Sequence, residues 1–198
     1  MTTEKGIILH DWEVRAVLNG ATQIRRVVKP QPRRTEAQGI LSDMEWWTWQ
    51  TDVLYSPLAL TDNVVTAAPF QPGQRLWVRE TWKTIPDMKW CNEHQLPYRV
   101  CYKADDSDDP PWRSPVTMFL DFSRITLEVT SVGAGRVQDL ATDLDSLMAL
   151  GWPSQEYDIN GWSLWGPDWF SAHWNADNPK YPWLSNPWNW VYGVRRVE

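Results

Sequence analysis

The stretch Gly73-Gln74-Arg75-Leu76-Trp77-Val78-Arg79-Glu80-Thr81-Trp82 constrains the fold of this chain most, because its chemistry alternates from residue to residue as a strand's does. Leu76, Val78 and Trp82 fall on one side with Glu80 among them; Arg75, Trp77, Arg79 and Thr81 fall on the other. The first side is built for a core. The second offers guanidinium groups and an indole, a set suited to a planar, hydrogen-bonding or anionic ligand such as a nucleobase or a phosphate. A half-exposed strand with solvated arginines is the competing reading.

With 198 residues, 42% of them hydrophobic and 22% charged, the chain has the make-up of one globular domain with a proper core. Tryptophan departs from the average, at 16 residues, four between Trp46 and Trp77 and eight between Trp152 and Trp190. Rings in such numbers imply an aromatic core or stacking surfaces for bases or partners, and core packing is the expectation for most of them. The net charge of −6 argues against a protein that coats nucleic acid through bulk electrostatics. Residues 1–40 nevertheless hold seven Lys and Arg against four acids, a balance of +3 that leaves −9 for the remainder. Arg25, Arg26, Lys29, Arg33 and Arg34 form the densest basic run; Asp105, Asp106, Asp108 and Asp109 form an acidic one. A basic edge on an acidic body fits contact with a few phosphates at one site, and two solvated loops are the alternative.

Cys91 and Cys101 are the only cysteines, and His10, His94 and His173 are scattered, so neither a zinc site nor a disulfide framework is expected, although the two cysteines can face each other across a hairpin. No cofactor is implied. The amino terminus lacks the pattern of a signal peptide and no apolar run reaches the length of a membrane span, which points to a cytoplasmic protein without membrane contact. Gly6-Ile7-Ile8-Leu9 reads as a strand leading into a short helix with Val14, Val17 and Leu18, closed by Gly20. Residues 29–72, with five prolines, read as a long connection with one hairpin. Further strands are expected at Tyr98 to Lys103, Arg124 to Val132 and Trp188 to Val197. Helices are expected around Leu140, Leu144, Leu147 and Met148, ending near Gly151, and from Pro167 to Trp174. No domain boundary is visible.

Four blocks then stand in a telling order: Val17-Leu18-Asn19-Gly20-Ala21-Thr22-Gln23-Ile24-Arg25-Arg26-Val27-Val28-Lys29-Pro30, the 73–82 stretch, Arg124-Ile125-Thr126-Leu127-Glu128-Val129, and Asn186-Pro187-Trp188-Asn189-Trp190-Val191. In these the chain resembles the ASCH-domain proteins of phages and prophages, members of the PUA-like superfamily of small β-barrels associated with RNA and modified-nucleotide recognition. The resemblance implies an α+β fold: a single PUA-like domain over residues 1–198, a small mixed β-barrel with flanking helices. The Trp-rich stretches at about 38–72 and 152–186 match the family poorly and read as insertions.

Some bacterial ASCH proteins resembling this one remove the acyl group from N4-acetylcytidine. Their Lys and Thr follow the first helix's Gly in a Gly-x-Lys-Thr-x-Thr-x-Arg type of motif, and a Glu comes from the later helix. Here Gly20 is followed by Ala21 and Thr22, Ile24 stands at the second Thr, and Leu150 stands where the Glu would be. Losing the activating amine and the acid/base together argues against that hydrolysis, so no catalytic residue is assigned, although Thr22, Asp143 or Asp145 lie close enough in sequence to rebuild one. The binding set the resemblance leaves is Thr22, Gln23, Arg25, Arg26, Trp77, Arg79 and Glu80, in a cleft between the first helix and the 75–82 strand. Glu80, on the apolar side, requires a cationic partner, and Arg25 or Arg26 is the expected one. Trp188, Trp190 and His173 read as packed aromatics. The expected ligand is RNA, single-stranded nucleic acid or a modified nucleotide, in a phage or prophage accessory protein acting in the bacterial host's cytoplasm. A counter-defence protein whose tryptophans bind a host protein is the alternative, and an N4-acetylcytidine-type amidohydrolase the second alternative.

Overall fold

Alternating apolar positions assemble the chain around one mixed sheet. The computed structural model describes residues 4–35, 45–95, 97–105, 111–141, 143–153 and 166–197, without the side chains of Leu140 and Ala141. The chain runs β1 (Lys5–Ile8), α1 (Asp11–Leu18), β2 (Gln23–Val27), β3 (Arg33–Thr35), β4 (Trp46–Thr48), β5 (Leu54–Tyr55) and α2 (Pro57–Thr66). It continues with β6 (Arg75–Arg79), β7 (Trp82–Ile85), α3 (Met88–His94), β8 (Arg99–Tyr102), β9 (Thr126–Arg136), α4 (Val137–Ala141), α5 (Leu144–Ala149), α6 (Gly166–Asp177) and β10 (Trp188–Val197). The architecture is mixed α+β: a five-stranded sheet in the order β1-β6-β9-β10-β2, a small sheet β3-β4-β5, and the hairpin β7-β8. In the large sheet β1 pairs with β6 in parallel and the other neighbours are antiparallel.

The expected barrel is not closed. β1 and β2 are the two ends of the large sheet, and no backbone ladder joins them among the described residues. The chain leaves β1 after four residues to enter α1, so there is too little strand left to pair with β2. A side chain spans the seam instead: Arg26 Nη2 of β2 donates to the Ile8 carbonyl of β1 at 2.7 Å.

Two cores result. Ile7, Ile24, Leu76, Val78, Leu127, Val129, Tyr192 and Val194 meet Val14 and Val17 of α1, Leu60 and Val64 of α2, and Trp47 and Trp49. The other side of β2 carries Val27 against Val137, Leu147, Leu150, Trp169, Phe170 and Trp174 of the α4–α6 region. The 46–66 part of the presumed connection therefore supplies a sheet and a helix to the first core. Residues 36–44 and 154–165, which include parts of the two presumed insertions, lie outside the described residues, as do Asp106, Asp108 and Asp109.

The 75–82 strand is interrupted where its pattern is most unusual. Leu76, Val78, Glu80 and Trp82 are all buried, as alternation requires, but β6 ends at Arg79 and β7 starts at Trp82. The Glu80 N–H faces Met118 Sδ at 3.3 Å instead of a sheet carbonyl, so the ladder stops there. β9 runs on to Arg136, beyond Val132, because β10 pairs with it along its whole length. Cys91 lies on α3, not on a strand, and the residue opposite Cys101 is Lys83; both thiols are free. Gly20, at φ +97°, follows α1 in the left-handed conformation that ends helices. None of the fourteen described tryptophans is exposed. Among the described residues no helix is long and apolar enough to cross a membrane.

Burial pushes Tyr102 and Tyr192 up to about 12, from an ordinary 10.0. Their phenols stay protonated in the folded chain after unfolded tyrosines have ionised. That preference stabilises the fold in full below pH 10 and is lost as pH rises towards 12. Tyrosinate absorbance in an alkaline titration is expected to rise in two stages, the later one coinciding with loss of near-ultraviolet dichroism; a single stage at the ordinary pKa would refute this.

Candidate functional site

α1 begins with charges that its own first turn arranges. Glu13, three residues after the N-cap His10, accepts the His10 backbone N–H through Oε2 at 3.0 Å, which is half of a capping box. Glu13 is buried and meets Arg26: Nη1 reaches Oε1 at 2.6 Å and Nη2 reaches Oε2 at 3.2 Å. Arg26 also donates to the Arg25 carbonyl at 2.6 Å and to Ile8. Its fork is thereby engaged in holding β1, α1 and β2 together.

Arg25, one residue earlier on β2, points to the opposite side and is buried under α6. Its Nε and Nη2 donate to Gln23 Oε1 at 3.1 and 2.9 Å, and its guanidinium carbon lies 5.5 Å from the Phe170 ring centre. Burial lowers its pKa to about 10, with Asp143 acting the other way. Asp177, the last residue of α6, accepts Trp12 Nε1 through Oδ2 at 2.8 Å and faces His10 Nδ1 through Oδ1 at 3.1 Å. Burial raises the Asp177 carboxyl above its ordinary range, against the opposing bond from Trp12 and the charge of His10. Trp12 itself stacks on His173, with centroids 4.7 Å apart and planes 20° from parallel.

These groups line a recess between α1, β2 and α6, together with Trp174 and Asn178, whose cavity volume is about 50 Å³. Drug-sized pockets begin at roughly 300 Å³, so this recess accepts the edge of a planar group and leaves the rest of a ligand outside. Its formal charges cancel, Arg25 and Arg26 against Glu13 and Asp177, with Arg26 bonded to Glu13 and Asp177 facing His10 and Trp12. A neutral planar group with donors and acceptors suits it better than a bare anion.

The residues expected to form one cleft fall into four places, with Glu80 in a setting of its own. Arg25 and Arg26 line the recess. Thr22 and Gln23 line an open groove beside the middle of β9 and the later half of β10. Trp77 and Arg79 lie across β1, with the Arg79 guanidinium 4.4 Å above the Trp77 ring. An added Cβ at Gly6, opposite Trp77, would sit 2.9 Å from Arg79 Nε and 3.0 Å from the indole, so only glycine admits that stack. β1 lies between the recess and this stack: Arg26 holds the Ile8 carbonyl and the Leu9 N–H donates to the Arg79 carbonyl at 3.1 Å.

Glu80 does not pair with Arg25 or Arg26. Its partner is Arg124, whose Nε and Nη2 donate to the two carboxylate oxygens at 3.0 and 2.8 Å and which also binds Asp105 through two bonds. Arg124 lies 4.0 Å above the Tyr102 ring as well. Burial raises the Glu80 carboxyl, with Arg124 opposing; burial likewise opposes the Arg124 charge, but its bonds to Glu80 and Asp105 outweigh it. Sequence reasoning passed over His10, Trp12 and Asp177. The only signal was His10 ahead of Asp11 and Glu13 at a helix start.

No family model, curated protein or solved structure matches the chain, so the site rests on its own geometry. Among the described residues no three His, Cys, Asp or Glu side chains converge as metal ligands would.

In both ion pairs the arginine is the partner that can return to water and the glutamate is the buried one. Arg26→Ala is expected to cost about 3 to 5 kcal/mol, since it strands Glu13 without a counter-ion. Arg124→Ala should cost a similar amount, whereas Glu80→Gln should cost only about 1 kcal/mol, because Arg124 keeps Asp105 and part of its hydration. Urea melts of the three variants check this, and equal losses for Arg124→Ala and Glu80→Gln would contradict it.

Proposed function

We propose that the chain binds a nucleobase, carried by a modified nucleotide or by single-stranded RNA or DNA, edge-on in the recess between α1, β2 and α6. The observation that carries this reading is the recess itself, a narrow, charge-balanced slot with donors and acceptors between aromatic rings. Trp12 and Phe170 supply apolar walls, while Arg25, His10 and Asn178 supply polar edges. The α+β sheet with α1 between its two end strands, and helices over β2, is in keeping with a PUA-like module of the ASCH type, and so with a phage or prophage accessory role in a bacterial cytoplasm. Across β1, the Arg79–Trp77 stack offers a neighbouring nucleotide a flat cationic face.

Arg25→Met keeps the bulk of the side chain and removes its donors, so affinity for the base should fall by about 1 to 3 kcal/mol, or roughly five- to a hundredfold. Calorimetric titration with cytidine, N4-acetylcytidine and short single-stranded oligomers measures it. Unchanged affinity in the variant, or no binding of any of these to the native chain at low salt, would remove the proposal.

Binding in this reading is not followed by hydrolysis. The Thr22 N–H donates to the Ala149 carbonyl at 2.8 Å, so the loop after α1 and the end of α5 touch. These are the places where the resembled amidohydrolases carry Lys, Thr and Glu. Here Ile24 and Leu150 are buried there against Trp12, Ala16 and Ala21, in a contact with no room for a water molecule. General acid–base assistance is worth roughly 10² to 10⁴ in rate, so cytidine release from N4-acetylcytidine should stay at background. Turnover abolished by Thr22→Ala would show that catalysis has been rebuilt.

A protein partner is the second reading, and one observation favours it. Val116, Phe119 and Leu120 are exposed together on the segment ahead of β9, beside the rings of Phe122 and Trp82. Leu120→Asp leaves nucleobase binding intact in the first reading and abolishes host-protein capture in the second.

A further inference from the structure

We infer that the groove flanked by Thr22, Gln23, Thr130, Ser131, Arg195 and Arg196 binds phosphate, specifically the phosphate of the nucleotide whose base enters the recess. Identification of the anion as a nucleotide's rests on the proposed base recess; the anion-binding chemistry of the groove does not.

The groove is a product of irregular pairing. Opposite β10, Gly193 is in register with Ser131 and Val194 with Val129, which leaves Thr130 as an extra residue on β9. In a regular ladder successive side chains point to opposite faces, so Thr130 and Ser131 would diverge, as would Arg195 and Arg196. The bulge removes that alternation for Thr130 and Ser131; Arg195 and Arg196 lie beyond it, in regular register with Glu128 and Leu127, and border the same groove at its rim. Gly193 makes the convergence possible: a Cβ there would lie 2.3 Å from Ser131 Oγ and 2.8 Å from Thr130 Oγ1. The two hydroxyls thus close over bare backbone.

The groove's chemistry is that of an oxyanion site. Thr22, Thr130 and Ser131 present hydroxyl donors, and two guanidinium groups stand at the rim. Arg195 is half committed, through a 2.8 Å bond from Nη2 to Glu128 Oε2. Arg196 is exposed and makes no ion pair among the described residues. The ends of α1 and α5 lie nearby, and their negative poles would oppose an anion if bare. They are covered: the Ala16 carbonyl accepts the Asn19 and Ala21 N–H groups, and the Ala149 carbonyl accepts that of Thr22.

Gln23 connects the two places. It lines the groove, and its Oε1 holds Arg25 in the recess. Thr22 to Arg25 is three residues of extended chain, about 10 Å, so groove and recess lie within reach of one nucleotide. The groove's volume of about 550 Å³ gives the sugar and phosphate the space the recess lacks.

Amide-resolved NMR titration of the full chain with cytidine, cytidine 5′-monophosphate and inorganic phosphate tests the inference. The monophosphate and inorganic phosphate are expected to shift the Thr130, Ser131 and Arg196 amides. Arg196→Glu should weaken monophosphate binding about tenfold and leave cytidine binding unchanged. The paired change Thr130→Val with Ser131→Ala should weaken it without altering the rim charge. If inorganic phosphate shifts these amides while cytidine binds nowhere, the groove stands and the base recess falls. If the monophosphate perturbs only the recess, or Arg196→Glu weakens cytidine and monophosphate equally, the groove is not a phosphate site.

Discussion

Arg26 fixes the relation of every element around the recess. Its four bonds run to Glu13 on α1, to Ile8 on β1 and to the backbone of its own strand, at 2.6 to 3.2 Å. Glu13 in turn holds the His10 N–H, and His10 faces Asp177 on α6. A sheet whose end strands do not pair through backbone would otherwise leave both edges open. Here one guanidinium spans the seam, and the partly buried ion pair is retained because it specifies geometry as much as it stabilises.

The tryptophans serve the same end by other means. Trp49 Nε1 donates to the Pro30 carbonyl at 2.8 Å, Trp190 Nε1 to the Val64 carbonyl at 3.0 Å and Trp174 Nε1 to the Tyr181 carbonyl at 2.7 Å. Each indole buries a large apolar area and also satisfies a carbonyl at a turn or helix end, where no ladder partner exists. Arg136 covers two more, 4.8 Å from Trp47 and 5.2 Å from Trp188. None of the described tryptophans is exposed, and the exposed apolar side chains include Val116, Phe119 and Leu120 instead.

What the sequence made legible was local. The β1–α1–Gly20 entry, the β9 and β10 strands, α6 and the buried side of 75–82 all follow from periodicity and turn chemistry carried by neighbouring residues. The helix α2 was hidden among prolines although its signal was present, Ser56 capping the Ala59 N–H and Pro57 at the first helical position. Pairings between distant residues were not legible. That Glu80 needs a cation is local physics; that the cation is Arg124 depends on β9 beginning beside the end of β6. Likewise Asp177 joins Trp12 across 165 residues, and no spacing rule reaches that far.

The basic run illustrates why counting charges overstates a binding surface. Arg25 and Arg26 are adjacent in sequence, yet a strand sends them to opposite sides. One is consumed by Glu13 and the seam; the other is buried against Phe170 and Gln23. Arg34 pairs with Glu45 at 3.3 Å on the small sheet. Little of the amino-terminal +3 therefore reaches the recess as free positive potential, so the base recognition proposed for it rests on shape and hydrogen bonds. Charge suited to an anion is left beside the middle of β9 and the later half of β10, where the bulge brings two hydroxyls together and Arg195 and Arg196 stand at the rim. A ligand that is neutral and planar at one end and anionic at the other meets both environments at once, and a nucleotide is such a ligand.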